Sequence, residues 1–193
     1  MPDPATESET TLSDSFKHLL QIGVTAAFAT LAFLGTTVIR IPIPASGGYF
    51  NLGDTFVMAA ALLYGPWIGA LVGLVGPALA DAIGFPQFIL ATAVVKGLEG
   101  MLVGLVGHRR RRASAGAAVA ALALGVVVLV GGYWVFEARI YPLLARGMPF
   151  FGVTDAAAAL AEVLPNLVQG VISAVLAFGI WKVFQRRGTA AGA

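Results

Sequence analysis

Cysteine is absent from this chain, and charge is scarce: Asp, Glu, Lys and Arg together make up 11% of its 193 residues. The first absence excludes disulfide frameworks, thiolate metal sites and cysteine nucleophiles. The second excludes an ordinary soluble domain, which needs far more polar surface to face water. No Gly-x4-Gly-Lys-Ser/Thr phosphate loop occurs, so the chain carries no ATPase of its own. Neither His-Glu-x-x-His nor Gly-x-Ser-x-Gly is found, and the two histidines, His18 and His108, fall at the ends of apolar runs, where solvation suits them better than metal ligation. We therefore expect no catalytic residue, no metal and no cofactor. Basic residues also cluster at run ends, which is a membrane-topology pattern and not a nucleic-acid footprint.

What is present is hydrophobic: 58% of residues are apolar, mean hydropathy is +0.86, and 24 glycines accompany many alanines. Small residues in such number suit close helix packing in lipid. Six apolar runs can be traced, at about 16–39, 52–64, 67–83, 87–106, 113–140 and 155–184. They predict an all-α integral membrane bundle of six transmembrane helices. The second run is short for a perpendicular span, and the tight Gly65-Pro66 turn makes it and the third a helical hairpin. Residues 1–13 and 188–193 are expected to be disordered tails around a single domain, 14–187. With the N-terminus inside, the cytoplasmic segments hold eight basic residues (Lys17, Arg109 to Arg112, Lys182, Arg186, Arg187). The outer loops hold three (Arg40, Arg139, Arg146), so both termini are expected in the cytoplasm.

Ionisable groups at mid-bilayer cost at least about 2.5–3.5 kcal/mol each, so each needs a partner or a purpose. On the fourth run Thr92, Lys96 and Glu99 share one helix face. Either Lys96 and Glu99 form a structural ion pair, or this face lines a polar cavity. On the sixth run Glu162, Asn166, Gln169 and Ser173 form a narrow stripe, which serves as interhelical glue or as the wall of a cavity. We expect the cavity, in which amides offer donors and acceptors to a heterocyclic ligand. Tyr133 and Glu137 share a face of the fifth run, where interfacial anchoring competes with a ligand role. Asp81 is expected to be solvated at a helix end. If these groups serve a ligand, a hollow must lie near the extracellular end.

Several segments carry a family likeness. Gly48-Tyr-Phe-Asn-Leu-Gly-Asp54 precedes an Ala-rich run, followed by Tyr64-Gly-Pro-Trp67, Gly69-x-x-x-Gly73, Ala78-Leu-Ala-Asp81 and Lys96-Gly-Leu-Glu-Gly100, with Pro165-Asn166 and Gln169 near the end. This pattern resembles the substrate-binding S components of energy-coupling factor (ECF) transporters, in the riboflavin-type or hydroxymethylpyrimidine (thiamine-precursor) branch. The resemblance implies a bundle that binds a vitamin or precursor near its outer face under the loop 40–51, adding Tyr49, Asn51 and Asp54 to the binding residues. It also implies a transmembrane coupling subunit and two cytoplasmic ATPases, met through a small-residue face of the first helix (here Thr25, Ala26, Ala29, Thr30), in a prokaryotic cell membrane. Thiamine-precursor pyrimidine, pyridoxine and riboflavin are the candidate ligands. A stand-alone secondary transporter or channel is the alternative, and a membrane-embedded enzyme a more distant one.

Overall fold

The computed structural model describes residues 4–44, 48–108, 114–144 and 156–190. Helix α1 (Pro4–Val38) leads into an antiparallel hairpin of β1 (Ile41–Ile43) and β2 (Gly48–Phe50), with Pro42 opposite Tyr49. Then follow α2 (Gly53–Tyr64), α3 (Pro66–Gly84), a 3-10 turn (Pro86–Phe88), α4 (Ile89–Gly107) and α5 (Ala115–Val135). A π turn (Phe136–Ile140) and the single-turn α6 (Tyr141–Leu144) extend α5, and α7 (Ala156–Ala190) completes the chain. Thus α1 to α5 and α7 make up the expected six-helix membrane bundle. Five of its helices are long and apolar enough to cross a bilayer.

The exception, α2, has 12 residues and is about 18 Å long, short of the roughly 30 Å hydrocarbon core. It survives because it lies inside the bundle: of the ten positions from Gly53 to Leu62, all but Phe56 are buried. A helix buried all round needs no polar face. The other helices present apolar side chains outward, among them Ile22, Trp67, Ile83, Leu164 and Val175, as lipid requires.

Two tight features set this arrangement. Gly65 has φ +98° between α2 and α3, in the left-handed region that favours glycine, and Pro66 then opens α3 with its φ preset. The half-buried ring of His108 sits against this turn and its Nδ1 lies 3.3 Å from the Leu62 carbonyl, so this histidine packs where solvation was expected. Between α3 and α4 the backbones nearly touch: a Cβ on Gly73 would lie 2.0 Å from the Lys96 carbonyl, and one on Gly100 2.1 Å from that of Gly69. The two glycine repeats therefore face each other, and the contact holds Lys96 and Glu99 in register with α3.

Both ends of the chain are more helical than composition leads one to expect. Helix α1 starts at Pro4, within the stretch 1–13, and α7 runs to Ala190, within 188–193. Proline suits the first helical turn. Arg109 to Arg112 and Arg146, which weigh in the topology argument, lie outside the described residues.

Candidate functional site

Directly after the hairpin, Asn51 links β2 to α2, and its side-chain oxygen accepts from the Gly53 amide at 2.9 Å and from Thr36 Oγ1 at 3.5 Å. This caps the start of α2 and turns Asp54 inward, where it is fully buried. One Asp54 oxygen accepts from Lys96 of α4 in a buried ion pair, and the other accepts from Gln169 Nε2 of α7 at 2.7 Å. Gln169 Oε1 in turn accepts the Asn51 amide at 2.7 Å. This inner tier ties α1, α2, α4 and α7 together through one carboxylate.

Lys96 thus pairs with Asp54, and of the two alternatives weighed for this face the Lys96–Glu99 ion pair does not form. Helical side chains lean toward the helix N-terminus, so the long lysine stem carries its ammonium outward along α4, toward Asp54. Glu99 stays one turn behind, fully buried beside Gly125 of α5, and neither of its oxygens has a hydrogen-bond partner.

Above the ion pair lies an outer tier. Tyr49 from β2, Asp81 from α3, Phe88 from the 3-10 turn, Thr92 from α4, Tyr133 from α5, and Glu162 and Asn166 from α7 surround a small hollow, with Gly48 as its roof. Its volume is about 20 Å³, room for a single water and no more. Tyr133 and Thr92 are joined through their hydroxyls at 2.7 Å, and Lys96 Nζ lies 5.7 Å from the Tyr133 ring centre, which links the tiers. Asn166 Nδ2 points at Glu162 Oε2 from 3.5 Å. Glu137, carried by the π turn, lies against Glu162; it is buried, and neither of its oxygens has a hydrogen bond. Ser173 continues the α7 stripe below Gln169, also buried and without a hydrogen bond.

The hairpin closes this tier from above. A Cβ on Gly48 would lie 1.9 Å from Glu162 Oε1, so glycine lets β2 settle on that carboxyl where a larger residue would make it shift. Tyr49 donates to Asp81, and its ring rests on Phe85 with centroids 4.4 Å apart. Burial first, and the neighbouring Asp81 second, hold the Tyr49 phenol well above its usual range, so it remains a donor. Arg40 lies over both rings, at 5.2 Å and 5.4 Å, and its guanidinium donates to the Thr36 and Ala80 carbonyls. Asp81 is therefore no solvated helix end. It is 1% exposed, with one oxygen on Tyr49 and the other left without a hydrogen bond beside Thr92.

All eleven residues singled out in sequence fall into this one assembly. Tyr49, Thr92, Tyr133, Glu162 and Asn166 line the hollow; Asn51, Asp54, Lys96 and Gln169 form the network beneath it; Glu99 and Glu137 are buried beside them. Sequence reasoning passes over Asp81, Arg40, Phe88 and Gly48. Asp81 and Arg40 look like ordinary run-end charges until the tertiary fold brings the hairpin down on them.

At the opposite end of the bundle a groove of about 890 Å³ runs between the middle of α1 and the start of α3. Thr25, Ala26 and Ala29 line it, with Gln21, Tyr64, Trp67 and Leu71; Thr30 is exposed just beyond. Thr25 and Thr30 turn their hydroxyls back to the carbonyls of Gln21 and Ala26, at 2.7 and 2.9 Å, so the face they offer is small and apolar.

Comparison with known proteins settles the family. Residues 13–186 match the family model described as the S component of the ECF-type riboflavin transporter. The chain belongs to this family. It is a multi-pass membrane protein of the prokaryotic cell membrane and the substrate-binding component of an ECF transporter, a transport subunit and not an enzyme. An "uncharacterized protein in gap 3'region" of Pyrococcus woesei is 37% identical over 152 residues, covering 79% of this chain and 93% of that one. A "UPF0397 protein" of Streptococcus pneumoniae is 30% identical over 91 residues, 47% of this chain and 48% of its own. A solved structure, titled as the S component of a bacterial ECF transporter, superposes with a TM-score of 0.62 over 91% of this chain and 99% of that chain. At 15% identity, that likeness shows the fold alone.

Proposed function

We propose that this S component captures a vitamin or vitamin precursor from outside the cell in the outer tier, beneath the β1–β2 hairpin. It then delivers the ligand through a coupling subunit and two ATPases. One observation carries this reading: polar side chains from β2, α3, α4, α5 and α7, each costly in a bilayer, converge on one hollow under the β1–β2 hairpin. Packing glue alone has no use for an acidic oxygen without a partner, and Asp81 holds one there. Tyr49, Thr92, Tyr133, Glu137, Glu162 and Asn166 would contact the ligand, while Asn51, Asp54, Lys96, Glu99 and Gln169 set the floor and its charge.

The small-residue face of α1 (Thr25, Ala26, Ala29, Thr30) would meet the coupling subunit, since close helix packing needs such a surface and Ala26 and Thr30 are left exposed among the described residues. The excess of basic residues in the loops at that end supports both termini in the cytoplasm, with the hairpin outside.

Binding of radiolabelled aminopyrimidine, pyridoxine and riboflavin to the protein in nanodiscs, followed by uptake with and without an ECF coupling module, tests the proposal. Unchanged affinity after Asn166→Ala and Glu99→Gln would remove the site. Uptake by the chain alone in proteoliposomes would point to a stand-alone carrier.

A further inference from the structure

The two oxygens of the buried Asp81 carboxyl are used differently. One accepts the Tyr49 hydroxyl of the hairpin, and the other has no hydrogen bond. The Thr92 hydroxyl lies beside Asp81 but is joined at 2.7 Å to the hydroxyl of Tyr133. Thr92 and Tyr133 carry one hydroxyl proton each, and their mutual bond uses only one of the two. The second proton does not reach the free Asp81 oxygen in hydrogen-bond geometry. An acceptor without a donor therefore stands next to a hydroxyl pair with a proton to spare, and all three side chains line the same hollow.

A buried carboxylate oxygen without a donor is costly, and a ligand that brings the donor recovers that cost on binding. The hairpin cannot supply it, because the Tyr49 proton is already committed to the other oxygen. Tyr49, Phe88 and Tyr133 make up the aromatic part of the wall, and such faces suit a flat ring.

Resting on the transport reading above, we infer that Asp81 is the specificity-determining residue of the outer pocket. Its free oxygen accepts from an N–H of the ligand, and the Thr92–Tyr133 pair donates to the acceptor beside that N–H. The ligand class is a flat heterocycle with an amide-like edge, a donor N–H next to a carbonyl or a ring nitrogen. The imide edge of riboflavin has this chemistry, and so does the amino group of an aminopyrimidine with its neighbouring ring nitrogen. Tyr49 keeps the other oxygen, so one carboxylate holds both the cover and the ligand.

Methylating the donor nitrogen tests the edge. The probes are riboflavin with 3-methylriboflavin, and 4-amino-5-hydroxymethyl-2-methylpyrimidine with its dimethylamino analogue, and the two pairs separate the two sources. In equilibrium dialysis against the protein in nanodiscs, at least one parent should bind, at least about tenfold tighter than its methylated partner. Asp81→Asn keeps an acceptor for Tyr49 and puts an N–H where the free oxygen stood, so it should weaken the parent and shrink that ratio toward one. Thr92→Val keeps the shape and removes the hydroxyl; it should weaken the parent at least about tenfold and leave the methyl discrimination in place. If Asp81→Asn fails to fold, Thr92→Val decides. Equal binding of parent and methylated partner, a ratio unchanged by Asp81→Asn, unchanged parent affinity in Thr92→Val, or binding of neither parent overturns the inference. Uptake of riboflavin, the aminopyrimidine and pyridoxine is measured with and without the coupling module. Module-dependent uptake alongside a failed edge test leaves the transport reading standing and removes only the role of Asp81; no module-dependent uptake of any of the three sinks the transport reading itself.

Discussion

Removing Lys96 puts the inner tier to its sharpest test. Lys96 and Asp54 are 1% and 0% exposed, so Lys96→Met leaves a carboxylate in an apolar interior with only Gln169 to satisfy it. Breaking a buried pair from one side typically costs about 3–5 kcal/mol, because the surviving charge is stranded. We expect a loss of that order. Adding Asp54→Asn removes the stranded charge and keeps an acceptor for Gln169, so the double variant should regain more than half of the loss. Adding Glu99→Gln instead leaves Asp54 unpaired and should regain little. The assay is reversible unfolding in mixed micelles by SDS titration, followed by tryptophan fluorescence, with the coupling energy taken from the double-mutant cycles. A Lys96→Met cost below about 1 kcal/mol, or rescue by Glu99→Gln equal to that by Asp54→Asn, would refute the assignment of Asp54 as the partner.

Other expectations concern the cover and the coupling face. Gly48→Ala places a methyl where Glu162 Oε1 now stands, so the hairpin should ride higher; ligand dissociation measured by stopped-flow should accelerate at least about tenfold, and unchanged rates would contradict the close seat of β2. Tyr49→Phe keeps the ring on Phe85 but loses the bond to Asp81. A hydrogen bond to a charged group contributes about 1.5–3 kcal/mol, so release should again quicken by roughly tenfold or more, without loss of fold in thermal denaturation. Ala26→Leu with Thr30→Leu should abolish co-purification with the coupling module and leave ligand affinity unchanged, because neither position touches the pocket.

The membrane bundle and most of the site were legible because helical periodicity is local. Glu162, Asn166, Gln169 and Ser173 line up along one helix whatever surrounds it, and the structure leaves that stripe buried. Gly69, Gly73 and Gly100 advertise a close approach in the same way, although nothing in sequence says that the glycines of α3 and α4 meet each other. Partner choice was the hidden part. Asp54 and Lys96 are 42 positions apart, so their ion pair cannot be read from spacing, whereas Lys96 and Glu99 are near neighbours and invite a pairing that rotamer direction disfavours. Asp81 was misjudged for a related reason: its solvent is removed by Tyr49, which arrives from a hairpin 32 positions away.

The near-absence of space in the outer tier bears on how the site works. Ligand pockets commonly enclose about 300–1,000 Å³, and this hollow offers about 20 Å³, so the described arrangement is a closed one and entry needs the cover to move. The fold makes that movement local. Strand β2 is held to the helices by the Tyr49–Asp81 bond, the Arg40 stack and the packing of Gly48 on Glu162, while the helix-to-helix contacts lie deeper. The first of those tethers ends on the very carboxyl that a donor-bearing ligand would engage through its other oxygen. A ligand approaching Asp81 therefore shares that carboxyl with the hairpin. Lifting the hairpin and seating the ligand are thus linked, and the hairpin can return only over a ligand that leaves it a second acceptor or a ring to rest on. A cover so tethered favours small flat ligands over large ones by the distance it must stay raised, and that selection acts before any contact with the floor at Asp54 and Lys96 is made.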